Sequence, residues 1–283
     1  MDIATVDYWA NAGGSYLHRA SPTAKLMAAA LGLAAVIVVF NLFLVATVFV
    51  LVVALAWRAG IPVRKLILIS LYPGVFALLF AMAQFHGDFI IPGTTIAKAV
   101  GAASVVVLLI ATTPYPRLFA ALRPVLPGFI VEVLYVTYRS VFILLGVLSD
   151  ALIAVRLRGG FTGRALGRRL QGAAVALAVA TLRSFEISER TYAVMQMRGY
   201  SGRISGEASG GLHLRDVPLV GAAAAVAGQA FLFRYEWRAL NPFSWAPFAA
   251  ALLVLAVAML VPRAAVAGGR ERPVSEMLRG DAQ

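Results

Sequence analysis

The fold turns on how residues 127–160, PGFIVEVLYVTYRSVFILLGVLSDALIAVRLRGG, are read. Their opening part, Pro127 to Leu148, is apolar enough to span a bilayer. Their end starts a series of arginines: Arg156, Arg158, Arg164, Arg168, Arg169, Arg183, Arg190, Arg198 and Arg203. If the apolar part crossed once, all of these would face outward, against the tendency of basic residues to collect on the cytoplasmic side. The sequence therefore predicts a segment that does not cross. It lies along the inner leaflet, dips into it, or tilts while packed on other helices, and it leaves 150–203 in the cytoplasm.

Working outward, the same bias orders the rest of the chain. Of 283 residues, 61% are hydrophobic and only 13% are charged, with a mean hydropathy of +0.84. That is about half the charged share of a soluble domain. With several runs near the length of a bilayer crossing, it points to an all-α polytopic membrane protein. The formal net charge of +12 is carried mostly by arginine. It is assigned to the positive-inside rule rather than to nucleic-acid binding. The chain has no cysteine, which excludes disulfides, zinc–thiolate sites and thiol nucleophiles. The N-terminus lacks the basic and apolar regions of a cleaved signal peptide.

Ser21-Pro22 predicts a helix start, with Ser21 as N-cap and Pro22 in the first position. Lys25 to Trp57 is too long for one crossing, and Asn41 marks a turn between two short spans. Further spans are predicted over 66–85 and 96–112, joined by a loop, His86 to Thr95, that carries Asp88 and no Lys or Arg. Pro114 and Pro116 close the second of them. Arg19 and Lys25, then Arg58, Arg64 and Lys65, then Arg117 and Arg123 recur on one side, so the N-terminus is predicted cytoplasmic. Tyr200 to Arg215 reads as a Gly/Ser-rich loop. Apolar runs over 217–233 and 247–261 flank Arg234 to Arg238, and as a hairpin they return Arg263, Arg270, Arg272 and Arg279 to the cytoplasm. The tail after Val266 reads as disordered. The segments group as 1–113, N-terminal transmembrane helices; 114–203, cytoplasmic-side helices; and 204–283, C-terminal transmembrane segments with a tail.

Two long helices are predicted within the middle segment, from about Val131 to Arg158 and from about Arg164 to Arg198. Both end alike, Arg158-Gly159 and Arg198-Gly199. Glycine just beyond a helix supplies the left-handed residue that closes it, and arginine in the last turn complements the macrodipole. One such ending would be an ordinary cap. Two, on helices kept out of the bilayer, each place a guanidinium fork at a tip, able to hold a partner's carboxylate bidentately. On the second helix, Arg183, Glu186 and Arg190 are spaced to pair, and 173–182 is nearly all Ala, Val and Leu, which permits close crossing.

The chain resembles the transmembrane (T) component of energy-coupling-factor transporters. Leu17 to Leu26 is similar to the family's opening, with a Pro and a Lys before the first span. Ala154 to Phe161 resembles the first of two Ala-Arg-Gly motifs, and Arg183 to Tyr200 the second with its approach. Length and opening look most like the CbiQ-type cobalt/nickel subgroup. The resemblance implies an energy-coupling scaffold of an ATP-driven importer in the bacterial cytoplasmic (inner) membrane, without enzymatic activity or cofactor of its own. Its long coupling helices would dock into two ATP-binding subunits through Arg158, Gly159, Arg198 and Gly199, with Arg156, Arg183, Glu186 and Arg190 in support. Its membrane part would cradle a substrate-binding integral membrane subunit and contact membrane lipid. Leu157 and Met197 stand where the family has alanine, and Ser21 where it often has an acidic residue.

Cobalt or nickel is the substrate this subgroup implies; a vitamin importer and a self-sufficient secondary transporter are the alternatives. His18, His86 and His213 are scattered without ligand spacing, and His86 with Asp88 reads as an exposed polar loop, so no metal site is expected in this chain. No phosphate-binding G-x-x-x-x-G-K-[ST] loop occurs, so ATP hydrolysis needs a separate subunit. Glu132, Asp150 and Lys98 lie near membrane depth, where a proton relay would need them. Snorkelling for Lys98 and a wet helix surface for Asp150 are the simpler readings.

Overall fold

The computed structural model describes residues 9–10, 13–84, 89–160, 166–200, 211, 213–236 and 240–260. Its regular structure over these residues is helical: α1 (Tyr16–Arg19), α2 (Pro22–Val38), α3 (Leu42–Ala59), α4 (Val63–Ala83), α5 (Ile90–Thr112), α6 (Tyr115–Leu122), α7 (Gly128–Leu157), α8 (Leu166–Met197), α9 (Val217–Tyr235) and α10 (Trp245–Leu260). Seven helical segments are long and apolar enough to cross a membrane, and α2 is a shorter apolar helix. The chain is thus an all-α, multi-pass membrane protein. Expectations for His86, Asp88, Arg164, Arg203 and Arg238, and for the tail with Arg263, Arg270, Arg272 and Arg279, lie outside the described residues.

The chain divides into two compact units, Met1–Ala121 with Ser209–Gln283, and Leu122–Ala208. In the first, α3 runs through the centre and packs on α2, α5 and α10, while α4 packs on α5 and α9 on α2. Val45, Ala56 and Leu66, all fully buried, belong to its core with Val36 and Val105. Local chemistry sets the starts. Ser21 Oγ accepts from the Ala24 amide at 3.3 Å, and Asn41 Oδ1 from the Phe43 amide at 3.0 Å, so each side chain satisfies an otherwise orphaned donor.

Helix α5 begins at Ile90, earlier than predicted. Pro92-Gly93-Thr94-Thr95 reads as a loop, but a proline in the first turn forfeits no helical bond. Both threonine hydroxyls donate back to the Ile91 carbonyl, at 2.7 and 3.1 Å. Helix α6 was not predicted; it starts between the two prolines that end α5.

One end of this unit is held by a polar knot. Lys25, 5% exposed, donates from Nζ to the carbonyls of His18 (3.3 Å) and Thr112 (2.9 Å), tying α2 to α1 and α5. The buried Asp216 carboxylate accepts from the amides of Ser21 (3.1 Å) and His213 (3.2 Å), and the Tyr16 hydroxyl donates to the Arg215 carbonyl. The His18 imidazole accepts from Ser15 Oγ at 2.7 Å and donates from Nε2 to the Trp9 carbonyl at 3.2 Å. A carbonyl can only accept, so the Nε2 proton is required. A methyl group on Gly13 would fall 2.1 Å from His18 Nε2, which makes glycine the cover of this ring.

Burial, and then the Lys25 charge, hold the His18 pKa below its ordinary value of 6.5. The unfolded chain therefore binds this proton first as pH falls. The stability contributed by neutral His18 is full above pH 6.5 and is lost as pH drops from there through the lower folded value. The melting temperature of the purified chain is expected to fall on acidification through this window, and to fall less in His18→Gln. Equal slopes for the two proteins would remove His18 as the cause.

At the opposite end Lys98 is held by a carbonyl and an aromatic ring. Its Nζ donates to the Ile37 carbonyl at 3.1 Å and lies 4.2 Å from the Phe40 ring centre, with the Arg234 guanidinium 4.5 Å from the same ring. Asn41 Nδ2 donates to Asn241 Oδ1 at 2.7 Å, and Phe43 packs on Phe248.

In the second unit α7 packs on α8. The turn that follows α7 crosses α8 at two glycines: a Cβ on Gly172 would lie 2.6 Å from the Gly160 carbonyl oxygen. Gly172→Val is therefore expected to force the backbones apart and cost about 1–3 kcal/mol, the usual range for overpacking. A thermal melt would show it, and an unchanged melt would mean the crossing is not made there. The apolar surface of α7 is largely uncovered within its unit. Phe129, Val133, Leu145 and Ile153 are exposed, as expected of a helix that meets lipid or another protein.

Candidate functional site: the two arginine tips

Helices α7 and α8 end in the same backbone motif. At the first end Gly159 has φ 77°; its amide donates to the Arg156 carbonyl at 3.0 Å, and that of Gly160 to the Val155 carbonyl at 2.9 Å. At the second, Gly199 has φ 76°; its amide donates to the Gln196 carbonyl at 3.0 Å, and that of Tyr200 to the Met195 carbonyl at 3.0 Å. These pairs are the two bonds of a Schellman cap. Each glycine adopts a left-handed conformation that costs other residues about 1–2 kcal/mol. Arg158 and Arg198 thus occupy the same place, the last residue before the reversal.

The third described left-handed glycine, Gly60, closes α3 with the same bonds, Gly60 to Trp57 and Ile61 to Ala56. There Ala59 precedes the glycine and Arg58 stands one residue earlier. Glycine alone therefore explains the cap, and the arginine adjoining it is the feature peculiar to the two tips.

Both tip arginines are exposed. The residue before each is apolar and among the most exposed of the described large apolar residues, Leu157 at 83% and Met197 at 79%. Sequence reasoning treated these two as replacements for alanine and gave them no role of their own. The signal was visible, since a large apolar residue precedes Arg-Gly at both ends. Each tip so presents an apolar knob beside a guanidinium, a pairing suited to a groove with an acidic wall.

The tips stand at opposite ends of α8. The first adjoins the Gly160–Gly172 crossing, and Arg198 lies 26 residues beyond Gly172, about 39 Å along the helix at the standard rise of about 1.5 Å per residue. Arg156, Arg183, Glu186 and Arg190 are exposed. No bond joins Glu186 to Arg183 or Arg190 among the described residues, which accords with the small worth of exposed pairs. Near the second tip, Gln196 Nε2 donates to the Tyr192 hydroxyl at 2.9 Å. Among the described residues no group of three or more His, Asp or Glu side chains is placed to hold a metal ion.

The comparison with curated proteins finds no match. The sequence model of the CbiQ family, described as "Cobalt transport protein", matches residues 13–208. The match starts at the glycine that covers His18 and ends after the second tip, leaving α9 and α10 beyond it. It takes in well over half of the chain, which belongs to the CbiQ family of cobalt transport proteins.

Proposed function

We propose that this chain is the energy-coupling membrane subunit of an ATP-driven, energy-coupling-factor importer for cobalt or nickel. Two ATP-binding subunits hydrolyse ATP, and each takes one arginine tip in a groove, Arg158-Gly159 in one and Arg198-Gly199 in the other. Residues 114–203 are the coupling part, with α7 and α8 acting as levers on the membrane helices that hold a substrate-binding membrane subunit. The chain makes and breaks no bonds itself. Residues 150–203 and the N-terminus face the cytoplasm of a bacterial inner membrane. The length and composition of α7 and α8 would allow each to cross; the arginine bias argues that they do not.

The observation that carries the reading is the repetition of one capped, apolar–arginine tip at two places about 39 Å apart along α8. A single partner site needs one such end, whereas two like partners need two. The test is uptake of radiolabelled cobalt by vesicles containing this chain with ATP-binding and substrate-binding subunits. Uptake should require this chain and ATP, and should survive collapse of the proton gradient. Uptake by the chain alone, driven by the gradient, would instead make it a secondary transporter.

A further inference from the structure

The first unit holds an open cleft of about 490 Å³ lined by α2, α3, α5, α9 and α10, within the ~300–1,000 Å³ of small-molecule sites. Small side chains make the room: Ala28 and Gly32 on α2 and Ala222 and Ala223 on α9 all line it. The remaining wall is almost wholly aliphatic. Its polar residues gather where α2 begins and α3 and α5 end, with Lys25 and Arg58 as its only charged lining residues. Lys25 spends two of its three protons on backbone carbonyls, which leave its charge intact. Asp216 offsets part of that charge, but both of its oxygens already accept amides. Arg58 is exposed and has no hydrogen-bond partner or ion pair among the described residues.

We propose that this cavity is a binding site for an anionic phospholipid, one acyl chain filling the space between α2 and α9 and the phosphate resting between Lys25 and Arg58. The charge pattern selects this occupant. An aliphatic cleft with two cations gathered at one end matches an amphiphile that is apolar along its length and anionic at one end. In a multi-pass membrane protein such molecules are the surrounding solvent. Part of the wall comes from α9 and α10, outside the family match, while both cations lie within it.

The test is native mass spectrometry of the delipidated full chain, titrated with phosphatidylglycerol and with phosphatidylcholine of the same acyl chains. Phosphatidylglycerol should bind saturably, with an advantage of roughly thirtyfold for two cations near the head group. Arg58→Gln should reduce that advantage about fivefold. Ala28→Phe and Ala223→Phe should each abolish saturable binding. Because either could disturb folding, a second readout uses Ala223→Cys, the sole thiol in a chain without cysteine. Phosphatidylglycerol should slow its maleimide labelling, and inorganic phosphate should not. Equal binding of the two lipids, or labelling that phosphatidylglycerol does not slow, overturns the proposal. Protection by inorganic phosphate alone overturns it as well, because the site would then recognise an anion without its chain.

Discussion

Reversing both tip arginines, Arg158→Glu with Arg198→Glu, is expected to abolish capture of co-expressed ATP-binding subunits while the chain remains folded and membrane-inserted. The caps are built from backbone bonds and glycine, so the side-chain change leaves them in place. A carboxylate at a helix C-terminus opposes the macrodipole by only about 0.3–1 kcal/mol. The cost to the partner is larger. An arginine desolvated against a carboxylate is worth about 2–5 kcal/mol when lost, and reversal adds repulsion. Two tips together therefore account for at least about a thousandfold in affinity.

Each single reversal should give a partial loss, because tips so far apart along α8 act as separate contacts. Arg158→Lys with Arg198→Lys should retain part of the binding, since lysine keeps the charge but not the planar fork. Affinity capture from detergent extracts, with insertion checked in parallel, decides the matter. Undiminished capture by the folded double variant would reduce the tips to ordinary helix caps.

The second large effect is expected at Lys25. Lys25→Met keeps much of the apolar stem but removes the donor that serves the His18 and Thr112 carbonyls. A buried acceptor stripped of its partner costs about 1–3 kcal/mol, so two cost roughly 2–6 kcal/mol. The loss falls where α1, α2 and α5 meet. The melting temperature should drop by several degrees, and Lys25→Ala should be worse because it also leaves a void. A Lys25→Met protein that melts like the wild type would show that this knot does not hold the helices together.

What could be read from the sequence was whatever depends on neighbours along the chain. Ser21 and Asn41 cap helices through atoms two or three residues away, and glycine after Arg158 and Arg198 closes them through the preceding turn. Those features need no knowledge of the fold. The start of α5 was misjudged because Thr94 and Thr95 look like turn residues until their hydroxyls find a helical carbonyl.

Other features depended on distant residues and left no local trace. Gly172 has meaning only against Gly160, and Lys25 only against Thr112, 87 residues away. The cavity is a mismatch between alanines on α2 and α9, each an unremarked small residue on its own helix. Lys98 gave no sign of its partners, the Ile37 carbonyl near the end of α2 and the Phe40 ring in the turn that follows it. Exposed Leu157 and Met197 were legible as a repeat, but their significance rests on exposure, which sequence does not give.

The closed ends of α7 and α8 also bear on how a force would pass through them. An open helix terminus frays, and a pull on it is absorbed by unwinding the final turn. Here the backbone bonds of Gly159 with Gly160, and of Gly199 with Tyr200, stiffen the last turn to its end. Slack is thereby confined to the rotatable bonds of the arginine side chains. Compliance in series is additive, so removing it from the backbone leaves the pair of helices closer to a rigid frame pinned at Gly160 and Gly172. In the proposed coupling role, a displacement at one guanidinium would then reach that contact with less of it spent in local melting.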